Sequence, residues 1–376
     1  MVQGILIGVL KVNLGRLGVT GCALVLVLLT PSWAAKKEKH PDIAGPPALL
    51  LQGGRKLEFE LAFSSEREVL KPGFWTKVLN AVAGEPQYRM MVRPYDIAVD
   101  SHGRAVVTDP GAAGVHIFDY EHHKYKFIER KDKDKDAMVA PQCVALDAQD
   151  NIYVTDSVAG KIFVFDSSGK YRHALGSLKG GEGYFKRPTG IAVDSAAQRI
   201  YVTDTLRDRI YVLDMQGQVL ETIGKHGSGE GEFYYPTELH LDHDKVLVVD
   251  AMNFRVQWLS RSGKAEKMMG QMGDAPGQIF RPKGVGVDSE DHVYIVDGLS
   301  GIVEVFDREG RLLYYFGKRG VALGEFQLPS GLFIDHEDRV FVVDYYNRRV
   351  QVFQYFAHHS AEGGQVGRLA DGQVGR

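Results

Sequence analysis

Six prolines mark a repeat that leaves this chain few folds to choose from. Pro94, Pro141, Pro188, Pro236, Pro282 and Pro329 follow one another at intervals of 46 to 48 residues. Each opens the same unit: P-x-x-[IVL]-x-[VIL]-D, a turn, a run such as IYVTD or VYIVD, six loop residues, and a run such as IFVFD or VEVFD. Two aspartates recur in register: Asp100, Asp147, Asp194, Asp242, Asp288 and Asp335, then Asp109, Asp156, Asp204, Asp250, Asp297 and Asp344. The apolar runs are four to six residues long, rich in Val, Ile, Tyr and Phe, and bounded by Asp, Gly and Ser. That is the pattern of strands between turns. A fourth strand follows in most units, as in LETIG, LLYYFG and HALG. Four strands per ~40 to 50 residues, repeated radially, predict a propeller blade, so six units predict an all-β, six-bladed β-propeller.

The last unit supplies only three strands before the chain turns polar at His358. An open ring exposes strand edges to aggregation. Residues 57 to 63, LEFELAF, read as a strand, and Leu57 to Phe63 are expected to pair beside Val350 to Phe356 as the missing fourth strand. The domain plan is then a signal segment over 1–34, a flexible linker over 35–56, the closing strand with a short helix over 57–92, six blades over 93–356, and a disordered tail over 357–376. The helix is predicted from PGFWTKVLNAVA at 72–83, with Phe74, Trp75, Val78, Leu79 and Val82 on one side.

The repeat resembles the NHL family. The match is carried by Pro188-Thr189-Gly190-Ile191-Ala192-Val193-Asp194, by Ile200-Tyr201-Val202-Thr203-Asp204, and by the D-x-x-N-x-R stretches Asp250 to Arg255 and Asp344 to Arg349. It spans Arg93 to Phe356, with the Asn and Arg lost from blade 1 (Ala112, Gly114) and blade 5 (Ser300, Ile302). As a fold signal it is specific; as a function signal it is weak, because one scaffold hosts many activities. The recurring Asp and Asn are expected to cap turns, and Arg209, Arg255 and Arg349, five residues after an aspartate, to pair with it.

Chemistry breaks symmetry, so candidate site residues are sought where the units differ. Two places after each proline, near the expected channel mouth, stand Asp96, Cys143, Gly190, Glu238, Gly284 and Gly331. Blades 1 and 4 are opposite in a sixfold ring, which makes Asp96 and Glu238 face each other. Two places further on, the set is Ala98, Ala145, Ala192, His240, Gly286 and Phe333. Asp96, Glu238 and His240 form a candidate divalent-metal set. The channel histidines that the resemblance implies for NHL-type peptidylamidoglycolate lyases number several, and here there is one. The carboxylate and Asn ligands of six-bladed gluconolactonase-type hydrolases have no counterpart either, since Asn253 and Asn347 fall at turns.

The amino terminus carries an address. LGVTGCALVLVLL at 17–29 is uncharged and apolar, follows Lys11 and Arg16, and is broken by Pro31 ahead of Ser32-Trp33-Ala34. This is signal-peptide architecture with cleavage before Ala35. An uncleaved anchor, or lipid on Cys22 within Val19-Thr20-Gly21-Cys22, are the other routes to the membrane. Cleavage leaves Cys143 alone and excludes an internal disulfide. The chain contains no Asn-x-Ser/Thr sequon, which suits a bacterial envelope protein.

The varied loops of one face carry Arg207, Met252, Phe254, Tyr345 and Tyr346, residue types enriched at interface cores. An exported, monomeric, non-enzymatic propeller that binds a protein or peptide is expected, with no cofactor required. The alternative is a metal-dependent lyase or hydrolase at the channel mouth, holding a divalent ion. RNA binding is opposed by export and by a charge that falls from −3 to −5 once Lys11 and Arg16 are removed. The mixed-sign run KDKDKD at 131–136 is expected as solvated loop or docking handle.

Overall fold

The β-branched and aromatic runs form strands where predicted. The computed structural model describes residues 45–71, 73, 84, 86–130, 137–178, 183–273 and 275–357. Residues 1–34, the side chains on which the 72–83 helix was read, the 131–136 run and the tail from 358 lie outside the described residues. Six antiparallel sheets follow one another along the chain. The innermost strands are Asp96–Val99, Pro141–Leu146, Pro188–Asp194, Pro236–Asp242, Pro282–Val287 and Leu332–Ile334. In blade 3 the strand order from the centre outward is Pro188–Asp194, Arg199–Asp204, Arg209–Asp214 and Val219–Ile223, and the other blades repeat it.

Blade 6 closes the ring with a strand from the opposite end of the sequence. Lys56–Phe63 pairs antiparallel with Arg349–Phe356, in register from Lys56 with Phe356 to Phe63 with Val350. Leu49–Leu50, within the stretch expected as linker, adds a fifth short strand outside it. Closure is also a packing event. Phe63, Phe341, Val343 and Val350 of blade 6 share one buried cluster with Ile97, Val107 and Phe118 of blade 1. Each of the other blade-to-blade seams has such a cluster, which is why the strands are apolar on both faces.

The repeated aspartates serve the turns and loops. Asp147 Oδ1 accepts from the backbone N–H groups of Gln149 and Asn151, both at 2.9 Å. The second set reaches back to the segment before the innermost strand of its own blade. Asp109 accepts from Val92 (2.6 Å) and Arg93 (2.9 Å), and Asp204 from Lys186 and Arg187, each at 2.9 Å. Arg255 and Arg349 pair with Asp250 (2.9 Å) and Asp344 (2.8 Å) as expected. Arg209 does not pair with Asp204: its Nε donates to the Arg207 carbonyl at 3.0 Å, and Arg207 takes Asp204 instead at 3.1 Å. In blade 1, where Gly114 replaces the arginine, buried His116 approaches Asp109 at 3.2 Å and fills that role.

Candidate functional site

The innermost strands do not alternate cleanly, and that irregularity builds the site. Pairing with the second strand shifts register between Pro141 and Val144, Pro188 and Ile191, Pro236 and Glu238, and Pro282 and Val285. A bulge lets two successive residues be aimed separately. A threonine of the second strand ties down the start of the innermost strand in blades 1 to 3. The Thr108, Thr155 and Thr203 hydroxyls accept from the backbone N–H groups of Asp96 (3.1 Å), Cys143 (3.0 Å) and Gly190 (2.7 Å). Thr108 and Thr155 also donate to the carbonyls of Gln142 and Thr189 in the next blade, both at 2.5 Å.

At the lower level of the bulge the ring is pinched. Asp96, Cys143 and Glu238 bring their ligand atoms within 4.8 Å of one another. The Cys143 thiol donates to Glu238 Oε2 at 2.9 Å, and Asp96 Oδ2 accepts from the Val144 N–H at 2.9 Å. Glycines make the approach close. A Cβ on Gly331 would lie 2.4 Å from Asp96 Oδ1 and 2.6 Å from Asp96 Cα, and one on Gly190 would lie 2.7 Å from Glu238 Cα. Burial pushes the Asp96 carboxyl up to about 7; burial and the neighbouring Asp96 push Glu238 well above the carboxylate range. Burial likewise raises the Cys143 thiol.

The structure thus brings two of the three sequence-predicted metal candidates together, with Cys143 as the third member of the cluster. His240 lies two residues beyond Glu238 on the same strand, about 7 Å further along at strand rise, outside that cluster. It lines a cavity of about 260 Å3 with Ala98, Ala145, Ala192 and Phe333. Asp96 and Glu238 line that same cavity, and neither lines the two cavities at the loop face.

The loop-face mouth belongs to other residues. A cavity of about 410 Å3 is lined by Arg93, Tyr95, Gln142, Arg187, Arg281, Lys283, Ser330 and Tyr345 among others. It adjoins a second, of about 370 Å3, that shares Tyr95, Gln142, Arg187, Arg281 and Lys283 and adds Met252, Phe254 and Phe280. Among the described residues, no carboxylate lines either cavity. Lys283 lies over the Tyr95 ring at 5.9 Å. Burial, helped by Arg281 and Arg187, lowers its ammonium to about 8. The three arginines stand immediately before the prolines of blades 1, 3 and 5, where blades 2, 4 and 6 have Ala140, Tyr235 and Leu328. This alternation is visible in the sequence, but one residue ahead of the unit as framed from its proline.

The five loop-face candidates separate by environment. Met252 (42% exposed) and Phe254 line the second cavity, with Phe254 and Phe280 rings 6.1 Å apart. Tyr345 lines the first, whereas Tyr346, 60% exposed, lines neither. Arg207 is held by Asp204, by the Tyr184 carbonyl at 2.9 Å and by the Tyr184 ring at 5.5 Å, which gives it a structural task in its own blade.

Known proteins agree with this geometry at the level of fold. The family model DUF5128, described as a 6-bladed beta-propeller, matches residues 192–258. This chain is a six-bladed β-propeller. Among curated proteins no sequence matches it. Solved structures similar to the propeller include virginiamycin B lyase from Staphylococcus aureus, at 14% identity and TM-score 0.51, covering 70% of this chain and 94% of that one. Hydrazine synthase from Kuenenia stuttgartiensis gives 12% identity and TM-score 0.52, over 70% and 96% of the two chains. An auxiliary nutrient binding protein from Bacteroides thetaiotaomicron gives 12% and 0.55, over 70% and 69%. Two enzymes and a binding protein on one scaffold carry no common activity to this propeller.

Proposed function

We propose that this propeller is an exported, non-enzymatic binding module that captures a protein or peptide segment on its loop face. The observation that carries this reading is the pair of adjoining cavities there, with Met252, Phe254, Phe280, Tyr95 and Tyr345 in their walls. Aromatic and methionine side chains in a concave, partly desolvated site are the composition of binding hot spots. Cavities of this size suit an extended segment entering end-on better than a flat protein face. Panning a random peptide library against the full chain tests it. Binders are expected, and Met252→Ala with Phe254→Ala should weaken them about tenfold or more, the loss typical of an interface anchor. Binders indifferent to both changes would sink the reading.

One observation favours a second reading. The Asp96, Cys143 and Glu238 ligand atoms lie close enough to share a divalent ion, and carboxylate with thiolate suits several metals. Such an ion would require Cys143 and both carboxyls to lose their protons, against the direction in which burial moves all three. Near-stoichiometric metal in purified protein, lost in Glu238→Gln, would move the assignment to a metal-dependent enzyme.

A further inference from the structure

Resting on the reading of the loop face as a peptide-capture surface, we propose that its central cavity is a carboxylate site, where Arg93, Arg187, Arg281 and Lys283 hold the acidic end of the captured segment.

The four cations are gathered without a counterion. Several arginines of the propeller have an aspartate beside them, as Arg104 has Asp100 at 2.5 Å, Arg255 has Asp250 at 2.9 Å and Arg339 has Asp335 at 2.7 Å, and others such as Arg209 and Arg319 donate to a backbone carbonyl. Arg93, Arg187, Arg281 and Lys283 make no side-chain ion pair or hydrogen bond among the described residues, and no carboxylate lines either cavity. Like charges collected in one concavity repel, so a purely structural role would have come with a partner. The backbone beneath them is nonetheless fixed. Asp109 and Asp204 bind the N–H groups of Arg93 and Arg187, and the Arg281 carbonyl accepts from Gly298 N–H at 2.9 Å. Fixed backbones carrying unpaired guanidinium groups describe a receptor preorganised for an anion.

Shape and chemistry narrow the anion. Guanidinium forks match a carboxylate bidentately, and alternate blades place three forks around one axis. Thr237 lines the adjoining cavity, and its hydroxyl is buried without a hydrogen-bond partner among the described residues. The wall of Met252, Phe254 and Phe280 beside it fits the apolar body of a peptide better than a free inorganic ion. The acidic groups below, Asp96 and Glu238, line the other cavity; Glu238 favours the Lys283 ammonium through space but makes no ion pair with it.

The experiment uses the full chain and four probes: a labelled Glu-Glu-Glu tripeptide, its Gln-Gln-Gln counterpart, citrate and inorganic phosphate, titrated at low and raised salt. The acidic tripeptide should bind at least about tenfold more tightly than the glutamine one, with the difference shrinking in salt. Arg187→Gln with Arg281→Gln should abolish that preference while leaving the melting temperature unchanged, and Lys283→Met should reduce it. Equal affinity for the two peptides, or a preference that survives in both variants, would overturn the proposal. Citrate or phosphate binding as tightly as the acidic tripeptide would overturn the peptide part and leave a small-anion site. If library peptides bind through Met252 and Phe254 without regard to charge, the carboxylate assignment alone falls. If no peptide of any charge binds, the capture reading falls with it.

Discussion

Tyr95 and Asp96, Gln142 and Cys143, Lys283 and Gly284 are neighbours in sequence that face opposite electrostatic surroundings. The first of each pair lines a mouth walled by four cations and, among the described residues, no carboxylate; of the second, Asp96 and Cys143 sit with Glu238 at a pinch holding two carboxyls and a thiol. A register shift at the start of most innermost strands divides the two levels. The comparison teaches that the repeat fixes where side chains are presented, while single bulged positions decide what is presented to each end of the channel. At the mouth three guanidinium groups stay charged while burial works against the Lys283 ammonium, and at the pinch burial drives the carboxyls toward the protonated form.

Breaking the ring should erase both levels at once. Removal of residues 45–64 takes away Leu57 and Phe63, both buried, together with the pairing to Arg349–Phe356. The expected outcome is loss of the cooperative melting transition and of soluble protein, checked by circular dichroism and size-exclusion chromatography, because the seam between blades 6 and 1 is left open. A truncated protein that melts like the full chain would mean that the blade 6 to blade 1 cluster does not hold the ring.

Opening only the pinch is the next largest change. Gly331→Val forces a branched side chain onto the Asp96 backbone, and Gly190→Ala sets a methyl against Glu238 Cα. Each should destabilise by about 1–3 kcal/mol, as overpacking does, in urea denaturation. The two levels should respond differently: the mouth, above the clash, keeps its peptide affinity in folded protein at low denaturant.

How much of this was legible beforehand depended on which residues repeat. The fold and the closing strand followed from a period of 46 to 48 residues and from a final unit one strand short. Convergence of Asp96 with Glu238 followed from their lying in opposite blades. His240 was placed with them because strand residues two apart share a face, but the rise along the strand carries it to the next layer. Cys143 stood in the same ring position and was set aside as a cysteine without a second cysteine to work with. The arginines escaped because Arg93, Arg187 and Arg281 precede the proline from which each unit was counted. Their lack of partners is a fact of three dimensions that no one-dimensional pattern contains.

The protonation of the pinch separates its two readings at smaller scale. A carboxyl raised to about 7 in the folded state, from an unfolded value near ~4, favours folding fully below that lower value and loses its contribution as pH rises through about 7. Asp96→Asn keeps the acceptor for Val144 N–H and removes the titration. The wild type should therefore lose melting temperature relative to Asp96→Asn between pH ~4 and ~7, with a constant difference above that. An ion bound by Asp96, Cys143 and Glu238 would reverse the sign, since metal holds the deprotonated forms and stabilises more as pH rises.

The mouth offers the mirror-image titration and the smallest expected effect. Burial, with Arg281 and Arg187, lowers the Lys283 ammonium to a pKa of about 8 against the opposing pull of Cys143 and Glu238. Below that pH the cavity presents four cations, and above it three. Affinity for an acidic peptide should fall as pH rises through about 8, by less than about tenfold, because three arginines remain. A bound carboxylate favours the ammonium and moves the midpoint upward in the complex, so the fall is read from affinity measured at each pH. Lys283→Arg holds the fourth charge and should flatten the profile without lowering affinity at neutral pH. A wild-type profile already flat over this range would place Lys283 outside the ligand's reach and return the mouth to three arginines, whereas a profile that falls equally in wild type and Lys283→Arg would locate the titrating group on the ligand.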